Sequence, residues 1–321
     1  MYPYNTVLLQ KGGPSDDGGE FRPPPTEVGV PFAKYKMARH NEARLMGYLI
    51  RDPVLRYTDI EKTNLVRASI QIRTLRGSRE FGTDRRKGYD EHIIFSQQEK
   101  YMTFMAQLKK YDIVQVKGNI ITLSSRFTAT CPECQNAQIL KDEVAVINPI
   151  FIDRVDASKE IAHDRDGVNL TFEEKIERFL RKRIEVSNNI ALIGDCVKPP
   201  ENFEGIVSYG LEVIRKYKIR EDDVSRKKDY PYIKCYGKIA ENDFKFIRKG
   251  SRVFIDGFIM SRNFNRVFTC PNCGTEFPVA RSRSEVVPYS VEYLSNCNTG
   301  YEEVNNDVNL GLSEEEEENE Q

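Results

Sequence analysis

Four cysteines carry the clearest chemistry in this chain. Thr130-Cys131-Pro132-Glu133-Cys134 and Thr269-Cys270-Pro271-Asn272-Cys273 are two copies of one Cys-Pro-x-Cys knuckle, a turn that aims two thiolates at a single point. Zinc takes four such ligands in a tetrahedron. Each knuckle supplies two, and the only histidines, His40, His92 and His163, are remote in sequence, so two half-sites must meet. Three arrangements stay open: Cys131, Cys134, Cys270 and Cys273 around one Zn2+ within the chain, equivalent pairs meeting across a dimer, or thiols that are redox-active or idle. The expectation is the first, with one structural Zn2+ per chain, because a closed shell of four thiolates leaves no position for water or substrate. Cys196, Cys235 and Cys297 read as spare thiols. Seven cysteines, an odd number, behind no recognisable secretory leader argue for thiols or metal ligands over a disulfide framework.

The knuckles close two tellings of one module. Asn41-Glu-Ala-Arg-Leu-Met-Gly47 with Asp52-Pro53 returns as Asn188-Asn-Ile-Ala-Leu-Ile-Gly194 with Pro199-Pro200, and Lys117-Gly118 returns as Asp256-Gly257, read here as turns. The openings lie 147 residues apart and the cysteine pairs 139, so the copies differ by eight residues between opening and turn. Such differences belong in loops, where they cost little. The first copy also carries an Arg-, Gly- and Asp-rich stretch from Arg73 to Gly88 that reads as a loop.

The elements that position these features are strands. Residues 65–72, 113–121, 209–214, 233–236 and 253–259 are rich in β-branched side chains, and 98–110 and 239–248 read as short amphipathic helices before the fourth strand of each copy. Five strands with a helix before the fourth is the pattern of the OB-fold, a small Greek-key barrel. The domains expected are a flexible arm (1–36, with Gly pairs and Pro23-Pro24-Pro25), barrel one (37–156), a linker with a helix (157–186), barrel two (187–296) and a disordered acidic tail (297–321). In the linker, Thr171-Phe-Glu-Glu174 has capping-box form, and Phe172, Ile176, Phe179, Leu180 and Ile184 follow at helical spacing. They predict a helix of about four turns, reaching Arg181-Lys182-Arg183 and packed on a module.

Composition limits the function classes. No apolar run of membrane-spanning length occurs, so a soluble protein of the cytoplasm, associated with the nucleoid, is expected. The formal charge of −1 hides a division: the first 284 residues hold 48 basic and 38 acidic side chains, and the remainder holds 11 acids and no base. A basic body with an acidic tail points to a polyanionic partner and a tail that competes with it. There is no phosphate-binding Gly-rich motif, no metalloprotease helix motif and no thioredoxin-like setting for the C-x-x-C pairs, so a non-enzyme is expected.

Tyr236-Gly-Lys-Ile-Ala-Glu-Asn242, followed by Ile247-Arg-Lys-Gly250-Ser-Arg-Val-Phe-Ile-Asp-Gly257, resembles the middle of the bacterial and phage-type single-stranded DNA-binding protein (SSB) family, and Asn188 to Gly194 resembles that family's first strand. Copy one repeats the frame in Asn41 to Pro53 and Leu108 to Gly118; the resemblance spans roughly 38–155 and 187–295. It implies sequence-independent binding and protection of single-stranded DNA in replication, recombination or repair, by rings that stack on bases and cations that meet phosphates. The family's stacking positions fall on Tyr217, Tyr230, Tyr236 and Phe264. Copy one places Glu91, Gln97 and Ser125 opposite the last three, with Tyr89, Phe95 and Phe127 nearby. Its contribution is read instead as the cations Arg73, Arg76, Arg79, Arg85, Arg86 and Lys87. The family's four-barrel assemblies imply a homodimer, or a single chain acting as a pseudo-dimer; its acidic tails imply replication or recombination proteins as partners, though the apolar tip is missing here. Divergence of this kind suits a phage or mobile element acting in a host cytoplasm. The alternatives are an RNA-binding or primosome-type OB protein and a protein-binding OB adaptor.

Overall fold

Alternating burial along strands such as Leu65–Leu75 and Ile206–Ile214, one face inward and the next outward, sets up two closed sheets. The computed structural model describes residues 41–76, 88–162, 169–183, 186–215 and 228–298. The arm at 1–36, the tail beyond Asn298, Tyr217, and the loop cations Arg79, Arg85, Arg86 and Lys87 lie outside them.

The first copy comprises β1 (Asn41–Leu49), β2 (Val54–Tyr57), β3 (Leu65–Leu75), β4 (Tyr89–Ser96), α1 (Glu99–Ala106), β5 (Ile113–Thr130) and β6 (Ala137–Val155). β1 pairs with β3, β3 with β4, β4 in parallel with β6, β6 with β5, and β5 returns to β1, which closes the Greek-key barrel of an OB-fold. After α2 (Ser158–Ala162) and α3 (Phe172–Arg181), the second copy repeats the ring with β7 (Asn188–Cys196), β8 (Glu201–Phe203), β9 (Ile206–Ile214), β10 (Lys228–Asp229), β11 (Tyr232–Cys235), α4 (Gly237–Phe246), β12 (Arg252–Thr269) and β13 (Glu276–Ser295). Here β7, β9, β11, β13 and β12 close in the same order. The eight extra residues belong to the first copy, in its longer β2–β3 hairpin.

Lys117-Gly118 and Asp256-Gly257 are bulges inside β5 and β12, where the pairing with β6 and β13 shifts register; they are not turns. A Cβ on Gly118 or Gly257 would collide with the carbonyl oxygen of Asn148 or Val287. Each long strand thus serves the barrel at one end and a projecting hairpin at the other, with a knuckle at the tip.

The two barrels are joined by β1 pairing antiparallel with β7. The register matches Ala43 with Ile190, its counterpart 147 residues on, and the pairs to either side, Asn41 with Leu192 and Leu45 with Asn188, exchange under the repeat, so a pseudo-twofold axis passes between Ala43 and Ile190. The buried core runs continuously across this seam. Asn41 is pinned by two hydrogen bonds with the backbone of Ile120, and Asn188 likewise by two with Ile259, which is why an asparagine opens both copies.

Two buried ion pairs obey the same symmetry. Arg76 clamps Asp90 bidentately, and the Ser261 amide of the other barrel donates to Asp90 at 2.9 Å. Arg215 clamps Asp229 in the same way, and the Thr122 amide of the first barrel donates to Asp229 at 2.8 Å. Each clamp orients a carboxylate that the opposite barrel reads, so both hold the barrels together. Beside them, His92 lies buried with Nε2 2.9 Å from the Thr74 hydroxyl and 3.3 Å from the Asn188 amide nitrogen. Burial, against the pull of Asp90 and Glu91, pushes its imidazolium down to about 4.

The predicted capping box is present: the Thr171 hydroxyl accepts from the Glu174 amide and Glu174 accepts from the Thr171 amide. α3 has 10 residues and caps at Lys182, shorter than the four turns expected, and Ile176, Phe179 and Leu180 pack on Met46, Tyr48 and Leu75 of the first barrel. Asp243 fastens α4 to barrel two by accepting from Tyr209, Tyr293 and the Cys235 thiol. Burial, despite these donors, raises the Asp243 carboxyl above its usual range. No helix among the described residues is long and apolar enough to cross a membrane.

Asp229→Ala leaves the Arg215 guanidinium buried and unpaired, so it should lower unfolding free energy by about 3–5 kcal/mol in urea titration. Truncating Lys198, which pairs with Glu201 on the surface, should change it far less. Because the unfolded imidazole protonates near pH 6.5 and the folded one near 4, stability should fall as pH drops through that window. In urea titrations from pH 7 to 4, wild type should lose about 3 kcal/mol of unfolding free energy relative to His92→Gln.

Candidate metal centre and nucleic-acid face

The β5–β6 and β12–β13 hairpins cross at their tips and bring the knuckles together. Both knuckles fold alike: Cys131 N–H donates to Asn136 and Gln135 N–H to Cys131, and the second copy matches with Cys270, Thr275 and Gly274. The residue after each second cysteine, Gln135 or Gly274, is left-handed, which turns the chain so that both thiols face one way. Ala129, Phe277, Phe127, Phe268, Leu140 and Val279 pack beneath them, and Asp142 is ion-paired to Arg281, whose guanidinium lies 3.5 Å from the Phe127 ring centre. Asp142 and Arg281 are equivalent residues of the two copies, so this pair lies on the pseudo-axis.

All four Sγ atoms lie within 4.8 Å of one another, with Cys131 and Cys273 at 3.6 Å and Cys134 and Cys270 at 3.6 Å. Four thiolates 2.3 Å from a central zinc would stand about 3.8 Å apart. The spacing therefore fits tetrahedral metal coordination, and all four cysteines are free thiols. Charge fits too. The Cys273 amide, aided by that of Asn272 and opposed by burial, holds the Cys270 thiol down to about 6. At Cys131 the Cys134 amide favours the thiolate, but burial and the crowded sulfurs of Cys273 and Cys134 outweigh it and push the thiol up to about 11. Crowded in this way, the four sulfurs can all ionise together only with a cation among them. Cys196 and Cys235 are buried within barrel two and Cys297 lies beyond β13, all outside this cluster.

Below the clasp, strand alternation lays out one outward face of barrel two. β11 presents Tyr232, Lys234 and, at the extended residue capping α4, Tyr236. β13 presents Arg281, Arg283 and Glu285, paired in register with Phe264, Arg262 and Met260 on β12. The strands lie side by side in the order β11-β13-β12. The Arg283 guanidinium stands 5.2 Å from the Tyr232 ring and 5.6 Å from Phe264. This face forms a trough against barrel one. A cavity of about 680 Å³ is lined by Tyr236, Met260, Arg262 and Arg283 on one side and Tyr89 and Glu91 on the other. It shares Ala145, Arg283 and Ser284 with a second cavity of about 480 Å³ that includes Tyr230, Tyr232 and Lys141. Lys141, Arg262 and Arg283 make no ion pair with any described residue.

The structure thus brings Tyr230 and Tyr236 to the lining of these two cavities and Phe264 beside Arg283 on the same face; Tyr232, Arg262 and Arg283 join the lining unanticipated, and Lys234 lies next to Tyr236. Alternation from Tyr236 back through β11 was the signal for Tyr232 and Lys234. Arg73 and Arg76, read as phosphate cations, are both ion-paired within the protein, and Arg76 also lines the larger cavity. Arg73 bonds Glu91 and Glu173, tying α3 to the barrel, and Arg76 belongs to the Asp90 clamp. Glu285, counted with the acidic tail, is buried in β13 beside Lys234. In copy one Tyr89 lines the trough, while Phe95 and Phe127 are packed in apolar clusters. The nine face positions of barrel two correspond there to Ile93, Phe95 and Gln97, Val146, Val144 and Asp142, and Ile121, Leu123 and Ser125, six of which form one apolar cluster.

No protein-family model and no curated protein matches the chain. Among solved structures, it is similar to the wild-type single-stranded DNA binding protein from Thermus aquaticus, at 14% identity and TM-score 0.47, covering 80% of this chain and 94% of that one. A deletion mutant of the same Thermus protein matches at 14% identity and TM-score 0.46, over 82% of this chain and 98% of that one. The Plasmodium falciparum SSB complex with ssDNA matches at 21% identity and TM-score 0.28, over 34% of this chain and 95% of that one.

Proposed function

We propose that this protein binds and protects single-stranded DNA, largely without regard to sequence, in replication, recombination or repair, and that one structural zinc locks its two barrels. The observation that carries the reading is the face on β11, β13 and β12. Tyr232, Tyr236 and Phe264 offer rings, and Arg262 and Arg283 offer guanidinium groups between them. Bases of any kind stack on such rings at about 1–3 kcal/mol each, while the cations meet phosphates. Barrel one supplies the opposite wall and Lys141 near the hairpin. Tyr217 and the loop cations Arg79, Arg85, Arg86 and Lys87, which lie outside the described residues, are kept in this proposal as further DNA contacts. Cys131, Cys134, Cys270 and Cys273 would hold the zinc, whose role is to fix the crossing of the hairpins that wall the trough.

Tyr232→Ala or Tyr236→Ala should weaken binding of oligothymidylate about tenfold in fluorescence titration, and Gln97→Ala, the copy-one counterpart of Tyr236, should leave it within twofold. Equal effects would remove the face from the reading. Arg283→Ala should reduce the slope of log affinity against log salt by about 0.7, the value of one phosphate contact on a single strand. Oligouridylate and duplex should bind more weakly; preference for uridylate would favour an RNA partner.

Metal analysis of protein purified without chelator should give one zinc per chain, and Cys131→Ser/Cys270→Ser should abolish it and lower the melting temperature. A content near zero in the wild type would end the zinc assignment.

A further inference from the structure

Lys234 and Glu285 stand side by side on β11 and β13, just beneath the residues that line the trough, each less than a tenth exposed, with Nζ and Oε2 3.6 Å apart. Glu285 is register partner of Met260 and Lys234 Nζ lies 5.9 Å from the Tyr236 ring centre, and both Met260 and Tyr236 line the cavity. Glu285 Oε2 is buried and has no hydrogen-bond partner. A buried carboxylate is costly unless its acceptor sites are filled, and the clamps at Asp90 and Asp229 show both carboxylate oxygens filled in this same protein. Nor does the barrel need the charges. Barrel one puts Phe95 and Val146 at the corresponding positions, and both are well buried. An ion pair that the fold can replace with apolar side chains, and that leaves a carboxylate oxygen without a donor next to a residue facing the trough, is placed for a ligand.

We propose that Lys234 and Glu285 read the edge of one base held against Tyr236, and that this base is guanine. The inference rests on the reading of this face as a single-strand-binding surface and adds one selective position to an otherwise indifferent site. Guanine carries an acceptor, O6, next to two adjacent donors, N1–H and the 2-amino group. Lys234 donates to O6 and the Glu285 carboxylate accepts from both donors, a charge-assisted, two-point contact. Thymine offers one N–H between two carbonyls, adenine and cytosine one amino group each, so none fills both carboxylate oxygens. Two-point contacts of this kind discriminate by about 1–3 kcal/mol, which is roughly tenfold or more in affinity.

The test is a competition titration with short oligothymidylates carrying one central guanine, inosine, adenine or cytosine. Guanine should bind about tenfold tighter than inosine, which lacks only the 2-amino group, and tighter than adenine, cytosine or thymine. Glu285→Gln should erase the preference. Because a single change strands a buried charge, the decisive variant is Lys234→Phe with Glu285→Val, which installs the pair that barrel one already packs. It should keep the wild-type circular dichroism spectrum and, whatever its affinity for unmodified oligothymidylate, show no guanine preference. Equal affinity for guanine and inosine, a stronger preference for cytosine, or a guanine preference that survives the double variant would each overturn the assignment. Failure of the wild type to bind oligothymidylate at all would instead overturn the single-strand reading.

Discussion

Everything distinctive about this molecule follows from the antiparallel pairing of β1 with β7. Because the register centres on Ala43 and Ile190, the strands of the two copies are related by a pseudo-twofold axis, and any feature near that axis must meet its own counterpart. A lone Cys-Pro-x-Cys knuckle is half a metal site, and the axis supplies the other half from the same turn in the other copy. The Asp90 and Asp229 clamps repeat across the axis for the same reason, each carboxylate held by its own barrel's arginine and read by an amide of the opposite barrel.

A covalent pseudo-dimer also permits what identical subunits could not. At the positions of Asp142 and Arg281, identical subunits would set two like charges together; unlike copies set an acid against a base. The same freedom extends to the outward faces. Inside the barrels the two copies must both be apolar, but outside, the scaffold is indifferent to whether β4, β5 and β6 carry an aliphatic cluster or β11, β12 and β13 carry tyrosines and guanidinium groups. Duplication kept the frame and released one face for chemistry.

The parts legible in the sequence were those set by local rules or by the repeat. Strand alternation, the capping box at Thr171 and Glu174, and the meeting of four cysteines all follow from short spacings or from comparing copies. The ion pairs of Arg73 and Arg76 were hidden because a cluster of arginines reads as a cationic loop until its acids are located, and Glu173 lies 100 residues from Arg73. The repeat did hold the missing clue: Arg76, Asp90 and Thr122 return at the same spacing as Arg215, Asp229 and Ser261, a triplet of polar residues kept for structure in both copies. Lys117-Gly118 was misread as a turn because glycine marks bulges and turns alike, and only the ladder on either side separates them.

Buried charge divides the scaffold from the site. Removing a carboxylate from water costs several kcal/mol, and the cost is offset only where both oxygens find donors at good distance. Asp90 and Asp229 meet that condition through a bidentate arginine and a backbone amide, and both lie where the barrels join, so their charges are explained by the fold. Asp243 meets it through two phenols and a thiol and is explained by the seating of α4. Glu285 alone among these buried acids has a lysine too distant for a hydrogen bond and an oxygen with no donor, in a barrel whose twin does without the charge. The fold accounts for the first three carboxylates, and the fourth lies beside Met260 at the edge of the trough, where the proposed ligand would supply the donors that the protein does not.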